Sequence, residues 1–478
     1  MSETRNLPQL LDARPGFPPP FDPGFRPVAL AHREYAAAFR SAEGIPARVG
    51  IEREEGLLST FELRVSSDSA LAAATTLIVE RTVKFLLWSR GGWKILFEGP
   101  PEIGDRLRAA YSDGGARAFD VRLMSRVYER PFEFVCVHPG KFPDARESRQ
   151  SLGGHLDGCR IGFDLGASDY KIASVRDGRI VYTAEIPWSP SEQADPAYHY
   201  DYIRAGVRRA ADHLPRVDAI GGSSAGVYIN NQVRIASLFR AVPEALFEEK
   251  IKPLFLRLGK EWGVPINVIN DGEVTALAGT MSLGERAILG VAMGSSQAAG
   301  YLSPEGHLMG WLDELAFAPV DLNPLAAVDE WSGDCGVGAN YFSQQAVNRL
   351  ALAAGFAFPE GMRLPERLKD IQRRVEDGDE RAVRIFEAIG IYLGYTIPWY
   401  ETFYDVRNLL VLGRVMSGGG GNLIMARAAD VLRTEFPETS SRVRLHLLDE
   451  KSRRVGQAVA AASLPRLEKE PRAQGVRS

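Results

Sequence analysis

Residues 161–171, IGFDLGASDYK, decide the reading of this 478-residue chain. An apolar strand runs into Asp164, turns at Gly166 and Ser168, and leaves toward Lys171. A buried structural strand needs neither the carboxylate nor the ammonium, whereas a phosphate and its metal ion use both. Glycine at the carboxyl end of a strand lets backbone N–H groups approach an anion, and Ser168 adds a hydroxyl donor. Asp164 would then hold Mg²⁺, through water, because that ion keeps much of its hydration. The same residues also fit a plain Asp-Gly turn between strands, so the stretch has to be weighed with its surroundings.

Downstream, YKIASVRDGRIVYTAEI turns at Asp177-Gly178, the strongest short hairpin signal. A helix (DYIRAGVRRAADHL), a strand (VDAIGGSS), a long helix (EALFEEKIKPLFLRLGKEWG) and a strand (PINVIN) follow. The order then restarts with strands AILGVAMG and AAGYLS, several helices, strand LLVLGR, a helix, strand RLHLL and a last helix. Paired strands followed by alternating helices and strands occur twice. The pattern predicts an α/β fold of two lobes of similar plan with a cleft between them, where ligands sit at the carboxyl ends of strands.

Three further stretches carry candidate chemistry. In AMGSSQAAGY, Gly294, Ser295 and Ser296 end a strand that opens the second lobe, matching the place of Asp164 to Gly166 in the first. Small residues and hydroxyls there suit a phosphate cradle, or the packing of a turn. In LLVLGRVMSGGGGNLI, the glycines around Gly413, Gly418 and Gly419 follow a buried strand and precede a helix. They suit a purine or ribose lying on bare backbone beside a helix N-terminus, or a merely flexible loop. In NVINDGEV, Asn270-Asp271 joins a strand to a helix. Asp is common as an N-cap, but phosphoryl transfer to an alcohol also needs a general base at such a place.

DLGASDYK, GSSAG (222–226), VINDGEVTALAG, AMGSSQAAG and LGRVMSGGGG stand in the order of the actin-like ATPase and sugar-kinase superfamily, and the chain resembles its ROK (repressor, open reading frame, kinase) family over about residues 158–465. The resemblance implies an actin-like, ribonuclease H-like fold and an ATP- and Mg²⁺-dependent kinase for a hexose or hexose-like hydroxyl. Asp164, Gly166, Ser168, Lys171, Gly294, Ser295, Ser296, Gly413, Gly418 and Gly419 would serve the nucleotide and its phosphates. Asn270 and Glu314 would contact the sugar, and Asp271 would be the base. Three departures stand out, one being ASLFRAVPEA in place of the family's Asn-Leu-Pro-Gly-Trp sugar stretch. Phe317 occupies the place of the family's sugar- and zinc-contacting His in LDELAFAPVD, and the cysteine-rich zinc loop becomes SGDCGVGANYF, with Cys335 alone and Asn340 near the sugar-binding Glu. A structural zinc needs about four N or S ligands, so no zinc site is expected. The alternative reading is a ROK-like sugar or nucleotide sensor that has lost catalysis and signals through its N-terminal domain.

The rest bounds the setting. Residues 1–27 are Pro-rich and aperiodic, predicting a poorly ordered arm. Residues 28–138 read as a small accessory α/β domain, 139–158 as a linker, 159–284 and 285–452 as the two lobes, and 453–478 as a C-terminal helix packing on the first lobe, with its tail. Apolar residues at 45%, charged residues at 25% and a net charge of −4 are those of a globular protein without the basic face of nucleic-acid binders. Cys136, Cys159 and Cys335 are too few and too scattered for a disulfide framework. With no signal-like or membrane-spanning segment, a cytoplasmic protein is expected, with a small sugar as ligand, no membrane or nucleic-acid partner, and a homodimer left open.

Overall fold

A computed structural model describes residues 7–39, 44–148, 153–447 and 450–467. Parts of the expected arm, linker and C-terminal tail therefore lie outside the described residues. The chain forms two compact units, residues 1–149 with 286–448 (unit 1) and residues 150–285 with 449–478 (unit 2).

Unit 1 begins with the expected arm, which is not loose. Phe25 is fully buried among Tyr341, Tyr392 and Tyr395. Asp22 accepts hydrogen bonds from Arg349 (2.8 Å) and Tyr392 (2.6 Å). The backbone N–H of Arg26 donates to Asp321 at 2.8 Å. Single anchors hold an extended Pro-rich strap, and such a strap needs no periodicity. Then come α1 (Val28–Ala38), the hairpin β1 (Ile45–Glu52) and β2 (Leu58–Val65), α2 (Ala72–Arg90), β3 (Lys94–Glu98), α3 (Pro101–Ala110), α4 (Ala118–Tyr128) and β4 (Glu133–Cys136). They build a sheet of order β2-β1-β3-β4. The last eight residues of α2, Val83–Arg90, are all buried, so this helix is packed all round rather than amphipathic.

Unit 2 opens with β5 (Cys159–Leu165), β6 (Asp169–Arg176) and β7 (Arg179–Pro187), then α5 (Pro196–Ala211) and β8 (Ala219–Ser224). The short pair β9 (Val227–Ile229) and β10 (Gln232–Ile235) follows. The long helix expected over 244–263 is broken: α6 (Glu244–Leu246) gives way to a π turn and then to α7 (Leu254–Trp262). Pro253, which cannot donate a helical hydrogen bond, stands at the break. Next are β11 (Ile266–Asn270) and α8 (Asp271–Leu283), capped by Gly284 at φ 67°. The sheet order is β11-β8-β5-β6-β7, with β5, β8 and β11 parallel and the β5–β6–β7 meander antiparallel.

The remainder of unit 1 is β12 (Ile288–Met293), β13 (Gln297–Leu302), α9 (Gln344–Ala353), α10 (Leu364–Glu376), α11 (Glu380–Glu401), β14 (Asn408–Leu412), α12 (Gly419–Glu435), α13 (Pro437–Arg442) and β15 (Arg444–Leu447). Its sheet, β13-β12-β14-β15, repeats the plan of unit 2 with one antiparallel strand fewer: a hairpin in place of the meander, then two parallel strands. The leading sheet β1–β4 thus belongs to the same compact unit as this one. The closing helix α14 (Glu450–Ala462) packs in unit 2, over β5 and β8. There Gly162 and Gly221 give it room: a Cβ on either would lie 1.8 or 1.7 Å from an α14 carbonyl oxygen.

Candidate active site

The candidate residues of unit 2 are placed by strand register. β5, β8 and β11 are parallel neighbours, with Asp164 beside Ser223, and Ser224 beside Asn270. Their carboxyl ends therefore bring the Asp164 loop, the 223–226 turn and the start of α8 to one edge. Ser223 donates to Asp164 at 2.6 Å, and Lys171, opposite Asp164 across the hairpin, lies 4.0 Å from its other oxygen and 3.3 Å from Asp169. Burial pushes the Asp164 carboxyl up, and Ser223 and Lys171 hold it back.

Asn270 caps α8. Its Oδ1 accepts from the Gly272 N–H at 2.7 Å and its Nδ2 donates to the Gly226 carbonyl at 2.7 Å. The amide expected to touch sugar thus spends one donor and one acceptor fixing Asp271 and the 223–226 turn, and keeps one of each. Asp271 itself, half-buried in the first turn, is pushed up to about 6, first by burial and then by the charge of Asp164. The helix N–H groups oppose this shift without cancelling it.

The Gly166 N–H closes the β5–β6 turn on the Asp169 carbonyl (3.0 Å), and Trp188 donates to the Gly166 carbonyl (2.7 Å). Ser168, at the exposed tip, donates to Asp169 at 3.0 Å. A bound phosphate would have to be met by the tip rather than by the Gly166 amide.

The candidate loop of unit 1 has the same construction. The Gly294 N–H closes its turn on the Ser296 carbonyl (2.9 Å), and Ser295 and Ser296 are exposed. Gly413, at φ 107°, lies so close to this loop that a Cβ would sit 2.3 Å from the Met293 carbonyl oxygen. The 418–421 run is not simply loose. Gly418 has φ 67°, and Cβ atoms on Gly420 and Gly421 would strike Phe386 (2.6 Å) and the Met416 carbonyl oxygen (2.2 Å). Gly419, the first residue of α12, has room, the nearest atom lying 3.5 Å away. The helix N-terminus beside it favours an anion.

Glu314 is half-buried, its N–H donating to the Trp88 carbonyl at 3.0 Å. Phe317 packs on Trp88 (ring centroids 4.4 Å apart) and Phe119 (5.6 Å). Asn340 is buried and donates to the Ala327 carbonyl at 3.3 Å. Among the described residues no group of three or more His, Cys, Asp or Glu could hold a metal ion.

Sequence reasoning missed Ser223 and Trp188. GSSAG gave the first away as a serine at a strand end. Trp188 follows β7 and carries no local signal.

No family model matches the chain, and no curated protein does. Among solved structures, a ROK-family transcriptional regulator, described as a homologue of the Escherichia coli MLC protein, matches with TM-score 0.51 and 18% identity over 65% of this chain and 79% of its own. The chain has the ROK fold. A ROK hexokinase from Thermus thermophilus (TM-score 0.49, 18% identity, 63% of this chain and 97% of its own) is also similar. So is a ROK glucokinase from Streptomyces griseus solved with glucose and AMPPNP (0.47, 21%, 64% and 98%). No described helix is long and apolar enough to cross a membrane.

Proposed function

We propose that the chain is an ATP-dependent kinase that transfers the γ-phosphoryl group to a hydroxyl of a hexose or hexose-like sugar. The observation that carries this is Asp271: a carboxylate fixed at a helix start by Asn270 and pushed up to about 6, near the pH at which it would work. It would accept the proton of the attacking hydroxyl as that oxygen bonds to phosphorus and ADP leaves. Gly294, Ser295 and Ser296 would meet the phosphates, with Ser168 and Lys171, and Gly413, Gly418 and Gly419 the adenosine. Glu314 would hold sugar hydroxyls.

The residues fit Mg²⁺. Asp164 raises Asp271 by its charge and is itself held up by burial, a strain that a nearby cation relieves. Bound through water to Asp164, the ion would neutralise charge on the phosphates.

Screening a panel of sugars for ATP-dependent ADP release tests the reading, and turnover on any hexose or hexose-like member supports it. Two observations favour a second reading, a sugar or nucleotide sensor without catalysis. Phe317 packs where the family has His, and one donor and one acceptor of Asn270 are spent on backbone. Ligand binding with no ADP release on any sugar would select it.

A further inference from the structure

Unit 1 contains a cluster of six charged side chains, all but the half-buried Glu80 buried: Glu80, Arg81 and Lys84 of α2, Arg117 and Asp120 at the start of α4, and Asp334, which lies 253 residues from Arg81 in the chain. Asp334 lies 3.2 Å from Arg81, 3.2 Å from Lys84 and 2.6 Å from Arg117. Lys84 also meets Asp120 at 3.0 Å, while Glu80 binds Arg81 at 2.6 Å and Arg117 at 2.5 Å. Burial pushes the Asp334 carboxyl up, but the Arg81 and Lys84 charges overcome this and hold it at about 2. Well-packed apolar residues would serve stability as well as such a cluster, or better. What three cations around one carboxylate add is a fixed position for whatever carries that carboxylate.

Asp334 is carried by the segment 312–340, and α2 grips the segment at its other end too. The N–H groups of Leu312, Asp313 and Glu314 donate in succession to the carbonyls of Arg90, Ser89 and Trp88, at 3.1, 3.0 and 3.0 Å. Phe317 lies on Trp88. Arg81, Lys84 and Trp88 are spaced three and four apart, so one face of α2 holds both ends. Between them the segment pairs with itself: Pro319 bridges Val337, Val328 bridges Cys335, and Val320 N–H donates to the Gly336 carbonyl at 2.8 Å. Fixing residue 334 therefore fixes the whole loop, including Glu314 and Asn340.

We propose that Asp334 is a positioning residue for the acceptor substrate. Clamped by Arg81, Lys84 and Arg117, it sets the segment bearing Glu314, and the leading layer of unit 1 serves that segment rather than forming a separable module. The inference rests on the proposed reading of Glu314 as a sugar contact.

The test uses the full chain with Asp334→Asn, and with Asp334→Glu as the charge-keeping control. Amide hydrogen exchange without ligand should be about tenfold faster or more over 312–340 in Asp334→Asn, with the unit 2 strands unchanged. KM for the sugar should rise about tenfold while kcat and the affinity for ATP stay within about twofold, and Asp334→Glu should recover most of the loss. Should Asp334→Asn fail to fold, Arg117→Met, which removes one cation of three, is read in the same way. Unchanged exchange over 312–340 would overturn the clamp. Faster exchange with an unchanged sugar KM would overturn the positioning role. A wild type that phosphorylates no sugar would sink the proposed reaction instead, and the exchange measurement would still decide whether Asp334 clamps the loop.

Discussion

The two units build their sheets on one plan and end their strands in different chemistry. In unit 2, β5 ends at Asp164-Leu165 and β11 runs into Asp271; in unit 1, the matching β12 runs into Gly294, Ser295 and Ser296. The second parallel strand of each is followed by a glycine at strongly positive φ, Gly226 at 125° and Gly413 at 107°. A Cβ on Gly226 would come within 2.4 Å of the Ile235 carbonyl oxygen, much as one on Gly413 would meet Met293. The shared glycine is a requirement of the turn, since only glycine adopts that backbone cheaply. The difference lies in the charges. On the proposed function, the carboxylates at the strand ends of unit 2 would supply proton and metal chemistry, whereas the backbone and hydroxyls at the strand ends of unit 1 would supply contacts to an anionic ligand.

If that division is right, the largest effect comes from one oxygen-to-nitrogen change in unit 2. Asp271→Asn keeps the size of the side chain but removes the base, a contribution of typically about 10²- to 10⁴-fold. Turnover should fall by at least that factor at unchanged nucleotide affinity, read by steady-state kinetics beside calorimetric titration of ATP–Mg²⁺. Undiminished turnover would place the base elsewhere. The matching change in unit 1 acts through backbone. Gly413→Ala forces a side chain into a left-handed position against Met293, and should cost at least about 2 kcal/mol of stability by denaturant unfolding. A loss below about 0.5 kcal/mol would show that the 413 turn adjusts freely, and the likeness to Gly226 would lose its meaning.

What was legible in the sequence follows the same line. Alternating apolar runs ending in DLG, NDG and MGSS gave the doubled sheet plan, because strand ends and turns are local events. The Pro-rich strap was misread because Asp22, Phe25 and Arg26 are held by partners about 300 residues or more away. Nothing local announces such anchors. The helix over 244–263 was read through Pro253, although proline is a breaker by its own chemistry. Of the site, residue types and strand ends could be read, but the use of Asn270 by the Gly226 carbonyl could not, nor could Ser223 as the partner of Asp164. The leading residues 28–138 gave their sheet but not its attachment, which rests on distant partners such as Phe403 stacked on Phe85 and Asp334 reaching α2.

A smaller effect sharpens the metal side of unit 2. Asp164→Asn keeps the hydrogen bond from Ser223 available but removes the charge beside Lys171. ATP–Mg²⁺ affinity should fall about tenfold, and ATP without the metal should bind the variant and the wild type within about twofold of one another. An equal loss with and without Mg²⁺ would make Asp164 a structural residue and move the metal elsewhere.

The smallest expected effect concerns stability, and it is read in unit 2. In unit 2 the folded carboxyl of Asp271 sits at about 6, above the unfolded value near 3.9. The folded state therefore holds a proton that the unfolded chain releases between those values. The stability this provides is fully present below about pH 4 and is lost as pH rises through about 6. At pH 7.5 the ionised, half-buried Asp271 is a burden, and Asp271→Asn should be more stable than the wild type by on the order of 1–2 kcal/mol, a discounted conversion of a shift of about two units. At pH 4 the two should unfold alike. In the same window kcat/KM of the wild type should fall as pH drops below about 6, because the base must be ionised. Turnover and stability would thus move in opposite directions across one titration. A gap between variant and wild type that stays constant from pH 4 to 7.5, by urea unfolding, would mean that Asp271 is not held up by burial and Asp164. Its fitness as a base would then have to come from the bound substrate.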